Sequence, residues 1–181
     1  MHAPLKADNT VLVVVDMQEK FKPVIRGWDG VVDNVVKLVK GFKVLGVPVV
    51  HTEQYPKGLG RTVPKLSGEL DGDPIEKLHF SCFGDDGFCQ RLGELQRENI
   101  VLCGIEAHVC LLKTTLDALD RGYSVHYVLD GTSSRRPLDK EVAVERVIQA
   151  GAYTVTSEMV LFQLLDRSGT EEFTEISKLV K

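Results

Sequence analysis

Cysteine is scarce in this chain. Four stand among 181 residues, at Cys82, Cys89, Cys103 and Cys110, and no two form a Cys-x-x-Cys pair. That spacing speaks against a zinc ribbon or a thioredoxin-type motif, and so few thiols in so long a chain do not make a secreted disulfide framework. No apolar run reaches membrane-spanning length, and no charged-then-apolar segment opens the sequence, so neither a membrane helix nor a signal peptide is expected. A reducing, cytoplasmic setting is the expectation. Excess positive charge is also missing. The net charge of −4 gives no electrostatic reason to expect nucleic acid or an anionic membrane as a partner. Proline and glycine are scattered rather than clustered, and there is no low-complexity stretch, which excludes a largely disordered chain.

What is there reads as one domain spanning residues 1–181, long enough to bury a core without disulfides or structural metal. Residues 11–15, Val-Leu-Val-Val-Val, form an unbroken apolar run of the kind found in strands covered on both faces. Val32, Val35, Val36, Val39 and Phe42 then recur at helical spacing, with Gly46 as a stop. Short strands are expected at 47–50, 75–80, 100–103, 125–129 and 152–155. Between them fall helices marked by Phe88, Leu92 and Leu95, by the segment between Gly104 and Gly122, and by Val142, Val147 and Ile148. Two short helices close the chain, with Ser157 and Thr170 as N-caps. The stretch 53–74 is too long for a simple connection and is read as functional. Strand and helix alternate throughout, which predicts a three-layer α/β/α fold with a mostly parallel six-stranded sheet. In such sheets ligands bind beyond the carboxyl ends of the strands.

That rule selects residues. Asp16 closes the first strand, Glu53 and Gln54 follow the second, Lys77 lies in or near the third, and the 104–110 turn follows the fourth. Cys110 sits at or near a helix start, where free amides and the helix dipole favour a thiolate and can receive an oxyanion. It can equally be a small buried hydrophobe. Asp16 is either a turn cap or a base in a dry cleft, and Lys77 either a solvated edge lysine or a cation holding negative charge. Together they could supply nucleophile, base and cation.

Longer segments carry a resemblance. These are VLVVVDMQEKF at 11–21, HTEQYPKGLGRTVPKL at 51–66, EKLHFSCF at 76–83, GIEAHVCLLKTTLDALDRGY at 104–123, DGTSSR at 130–135 and AGAYTVTSEMVLFQLL at 150–165. In this order they resemble the isochorismatase-like cysteine hydrolases, and especially the subgroup called isochorismatase domain-containing proteins. The resemblance implies Asp16 as general base, Lys77 as catalytic lysine and Cys110 as nucleophile. It also implies a cis peptide between Ile105 and Glu106, and backbone N–H groups of Glu106 and Cys110 as oxyanion donors. The activity implied is hydrolysis of a small amide or related C–N bond through a thioester, without a cofactor, by a homo-oligomer acting on a small molecule.

Relatives that cleave nicotinamide carry an Asp-x-His…His metal set after the second strand. Here only His51 precedes the loop, so no metal is expected. Gln18, Gln54 and Tyr55 are pocket candidates that could instead stabilise turns. Arg135 can meet a substrate carboxylate or cap the sheet edge, and Arg136 is assigned the second role. His108, two residues before Cys110, is a further substrate-binding candidate and the partner of a rival Cys–His dyad. A non-catalytic binding or scaffold protein on the same fold is the alternative from another class.

Overall fold

The computed structural model describes residues 4–181, so the first three residues of the expected domain lie outside the described residues. Six strands carry the sheet: β1 (Thr10–Val15), β2 (Val49–Gln54), β3 (Ile75–Lys77), β4 (Asn99–Ile105), β5 (Ser124–Ser133) and β6 (Tyr153–Val155). Their order across the sheet is β3-β2-β1-β4-β5-β6 and every pairing is parallel, as alternation of strand and helix predicted. The run that lacked polar alternation is the reason β1 occupies the middle. Leu12 and Val14 pack with α1 (Trp28–Val44), α7 (Ser157–Leu164) and α8 (Glu171–Val180). Val11, Val13 and Val15 face α4 (Asp86–Leu95), α5 (Leu112–Asp120) and α6 (Pro137–Ala150). Each such side chain removed from water contributes about 1.5–3 kcal/mol, so a polar residue on either face of β1 is selected against.

The elements differ from sequence expectation where polar residues extend a strand. β2 runs on through His51, Thr52, Glu53 and Gln54, all of them buried. Thr52, Glu53 and Gln54 enter the interior because each finds hydrogen-bond partners there. The Glu53 carboxylate accepts from the Thr62 amide at 2.6 Å, the Thr62 hydroxyl at 2.8 Å and Arg61 at 2.9 Å. The expected loop from 53 to 74 therefore begins later, and it contains two single turns of helix, α2 (Pro56–Leu59) and α3 (Pro64–Ser67). β3 stops at Lys77 rather than residue 80. The N-cap of α7 is Thr156, not Ser157, since the Thr156 hydroxyl accepts from the Met159 amide; the Ser157 side chain turns to Asp130 instead. Thr170 caps α8 as expected. On α6 the buried stripe is Ala143 and Val147, whereas Val142 and Ile148 are about half exposed.

The chain turns from one side of the sheet to the other between β1 and β4, and the crevice of a doubly wound sheet lies at that switch point. Gly104 makes the two strands meet closely there. Its φ is +118°, and a Cβ on it would lie 2.1 Å from the Val15 carbonyl oxygen. Only glycine fits that combination of backbone angle and contact. Beyond β4 the Ile105–Glu106 peptide is cis, as the resemblance implied.

Candidate active site

Asp16 is the residue at which β1 ends. Its backbone is left-handed, φ 54°, a conformation that Asp tolerates better than most non-glycine residues. Two backbone bonds hold it there, from its own amide to the Thr52 carbonyl and from the Gln18 amide to its carbonyl. The side chain is withdrawn completely from solvent. One carboxylate oxygen, Oδ2, accepts from Lys77 Nζ at 2.8 Å, and the other, Oδ1, accepts from the Thr52 hydroxyl at 2.7 Å.

Lys77 ends β3, two strands away from β1 in the sheet order, and its side chain reaches inward. It is 0% exposed, which rules out a solvated edge lysine. Besides Asp16, its ammonium donates to Gln54 Oε1 at 2.7 Å and to the carbonyls of His79 and Phe80, each at 3.3 Å. Burial is the largest influence and works against the charge, but the charge and hydrogen bond of Asp16, together with Cys82 and Cys110 nearby, outweigh it and the group is held above its ordinary value. The lysine is therefore a fixed cation, and four acceptors define where it points.

Cys110 lies in a single wide π-helical turn, Ala107–Leu111, that leads into α5. Such turns inside helices recur at functional sites. The sulfur faces the same cluster: its thiol feels the charges of Asp16, Lys77 and Cys82. Burial first, and the Asp16 carboxylate second, push the thiol well above its ordinary range, while Lys77 pulls the other way. This changes one expectation. The resting group is a thiol next to a carboxylate, not a thiolate stabilised by a helix start. Cys110 is only 6% exposed, in contact with Cys82 and Leu111 within one apolar cluster.

The remaining candidates are placed less uniformly. The Gln18 amide is spent on the protein itself: it donates to the Gln54 and Gly60 carbonyls and accepts from the Gln54 amide, tying the loop after β2 to the loop after β1. Gln54 donates to the Leu78 carbonyl while accepting from Lys77, so it braces the lysine. Tyr55 is 51% exposed and borders a cavity of about 320 Å³ together with Pro56, Lys57 and Leu78. His108 Nδ1 lies 3.0 Å from the Ser134 hydroxyl, so the imidazole of the supposed dyad is paired with serine rather than with Cys110. Arg135 binds its own protein: its backbone amide and Nε both donate to Glu106 Oε2, at 3.2 and 3.0 Å. Arg136 lines a second cavity of about 520 Å³ with Arg26, Ser134 and Lys140. Cys103 is buried in β4 and packs as a core residue, as read from its strand. His51 is buried, and burial lowers its pKa. Among the described residues no group of three or more His, Cys, Asp or Glu side chains could hold a metal ion. Likewise no helix among the described residues is long and apolar enough to cross a membrane.

Sequence reasoning passed over Thr52. Thr52 had a legible signal, since it stands opposite Val15 in the parallel register and so beside the end of β1. Cys82, five residues after Lys77, feels the charges of both Lys77 and Asp16. It is fully buried, its backbone amide donates to the Thr114 hydroxyl at 3.0 Å, and its thiol is pushed up to about 12, chiefly by burial.

The isochorismatase domain matches residues 10–159 of this chain. The human isochorismatase domain-containing protein 2 is 44% identical over 174 residues, 96% of this chain and 83% of that protein. The MAR1 ribonuclease structure from Caenorhabditis elegans superposes with a TM-score of 0.93 at 39% identity, covering 98% of this chain and 92% of that one. The YcaC protein of Escherichia coli, described as an octameric hydrolase of unknown specificity, shares the fold with a TM-score of 0.91 at 21% identity over 99% of this chain and 91% of its own. A domain match over most of the length, with relatives this similar end to end, has one meaning: the chain belongs to the isochorismatase family.

Proposed function

We propose that the protein is a cysteine hydrolase that cleaves a small amide or related C–N bond through a thioester on Cys110. The observation that carries this reading is the dry Asp16–Lys77 pair at 2.8 Å with the buried Cys110 thiol within reach of the charges of both groups. A charged pair without solvent is costly to maintain and is a poor source of stability by itself, so its presence beside a nucleophile argues for chemistry.

In the proposed reaction Asp16 takes the thiol proton as Sγ adds to the carbonyl carbon. The negative charge passes to the carbonyl oxygen, where the backbone N–H groups of Glu106 and Cys110 receive it. Lys77, fixed by four acceptors, keeps Asp16 oriented and offsets its charge. Collapse of the adduct expels ammonia or an amine, which leaves with the proton from Asp16. Water then gives a proton to Asp16, attacks the thioester and releases the acid, and the proton returns to sulfur. No cofactor takes part in these steps. A homo-oligomer belongs to the same reading; it is supported by the octameric YcaC relative and by exposed Leu78, Phe80, Leu138 and Val142.

The test is ammonia release from a panel of small amides. Wild type should turn over at least one, Cys110→Ala none, and His108→Asn should keep activity within about tenfold because its partner is Ser134. Equal turnover by Cys110→Ala ends the proposal, and loss in His108→Asn with Cys110 unreactive favours the dyad. The name of the nematode relative supplies a second reading, RNA cleavage. Single-stranded RNA incubated with wild type and Cys110→Ala decides it: cleavage that survives in Cys110→Ala while every amide stays intact would replace the thioester reading.

A further inference from the structure

The geometry points to Thr52 as a positioning residue for Asp16, the donor that fixes which carboxylate oxygen faces the Cys110 thiol. This rests on the proposed base role of Asp16 and extends it to a residue that touches neither substrate nor sulfur of Cys110.

A carboxylate attached at the end of a strand can rotate about its terminal bond, a broad and soft torsion. With a single partner, Lys77, the Asp16 plane would be free to swing about the 2.8 Å contact at Oδ2. The Thr52 hydroxyl at 2.7 Å removes that freedom by holding Oδ1. Two donors from two different strands, one per oxygen, define the plane. The direction of the Thr52 bond is also determined. An ionised carboxylate only accepts, so the hydroxyl proton must go to Asp16. Thr52 is itself held rigidly, 1% exposed and paired with Val15 and Ile75 in the sheet. The χ1 stiffness of a β-branched side chain adds to this.

The groups facing Asp16 come from every neighbouring element: Lys77 from β3, Thr52 from β2, Cys110 from the π turn and Cys82 from the segment after β3. Of these, Thr52 donates its hydroxyl proton to the carboxylate and carries no charge itself, so its loss leaves all charges in place. Removing it makes the ionised carboxylate less favourable without altering the ion pair. The acid limb of any reaction that needs that carboxylate ionised must therefore move to higher pH.

The experiment measures the rate of Cys110 alkylation by iodoacetamide from pH 4 to 9, with the labelled residue read by mass spectrometry. The variants are Thr52→Val, Thr52→Ser and Thr52→Ala, each first checked by its thermal melt. For Thr52→Val the acid limb should rise by about one pH unit, the size expected when a hydrogen bond to a charged group is lost. Thr52→Ser, which keeps the hydroxyl, should return the limb to within about 0.3 unit of wild type. If valine does not fold, the comparison of serine with alanine isolates the same hydroxyl. Coincident limbs for wild type and the variants lacking the hydroxyl overturn the inference. So does a serine variant that behaves like alanine. Failure of the thioester reading looks different, because Asp16→Asn would then leave the wild-type limb unmoved.

Discussion

Replacing Lys77 by Met tests the physical core of the site, because it deletes a charge and keeps the chain length and most of the volume. Four acceptors lose their donor at once: Asp16 Oδ2, Gln54 Oε1 and the carbonyls of His79 and Phe80. The two carbonyls, at 3.3 Å, lose little. The decisive term is Asp16, left ionic and fully buried with only Thr52 and the Cys110 thiol for company. Breaking a buried pair from one side costs about 3–5 kcal/mol. For a chain of this size each kcal/mol lowers the melting temperature by about 2–4 °C, so Lys77→Met should melt about 6–20 °C below wild type. The double variant Asp16→Asn/Lys77→Met leaves no charge uncompensated and should recover about 1–3 kcal/mol relative to the sum of the single changes. Urea unfolding of all four proteins gives the cycle. The pH dependence adds a sign. Lys77 is held above its ordinary 10.5 in the folded state, so its contribution is complete below that value and is lost as pH rises through the folded one. The gap between wild type and Lys77→Met should thus narrow above about pH 10.5. Strict additivity in the cycle, or a Lys77→Met melt within about 2 °C of wild type, would refute the reasoning.

Two further outcomes follow from the backbone and the loop. Gly104→Ala should fail to give a folded protein, because its Cβ would stand 2.1 Å from one backbone atom of β1 and 2.7 Å from another, at φ +118°; a soluble variant melting near wild type would contradict that. Glu53→Gln should speed tryptic cleavage at Lys57, Arg61 and Lys65 by weakening the tie from Glu53 to Thr62 and Arg61. Although burial opposes it, bonds from Thr62 and Arg61 hold Glu53 below its ordinary 4.5, so the tie is complete above that value and fails as pH falls through the folded one. Hydrogen exchange at the Thr62 amide, corrected for intrinsic rate, should lose protection below pH 4.5 in wild type, and a flat profile would contradict the assignment.

The architecture was legible because its signals are local. An apolar run of β-branched residues, helical spacing of valines and a glycine at each stop specify strand, helix and turn without reference to distant residues, and their alternation leaves few topologies. The ends of elements were less legible. Polar residues such as Thr52 and Glu53 read as loop until Asp16, Thr62 and Arg61 arrive as partners from elsewhere in the chain.

The sequence by itself determined the layers, a first strand covered on both faces, and the three side chains placed at carboxyl ends of strands, since burial period and chain order are properties of neighbouring residues. Tertiary structure alone decided the surroundings of those side chains and the fate of their neighbours. Whether Cys110 rests as thiol or thiolate depends on the distance to a carboxylate 94 positions earlier in the numbering and on the exclusion of water around both. Whether His108 serves sulfur or Ser134, and whether Arg135 awaits a ligand or is held by Glu106, depends likewise on where strands β4 and β5 end in space. Charge interactions decay with distance through the medium, and that distance is written in the fold rather than in the order of residues.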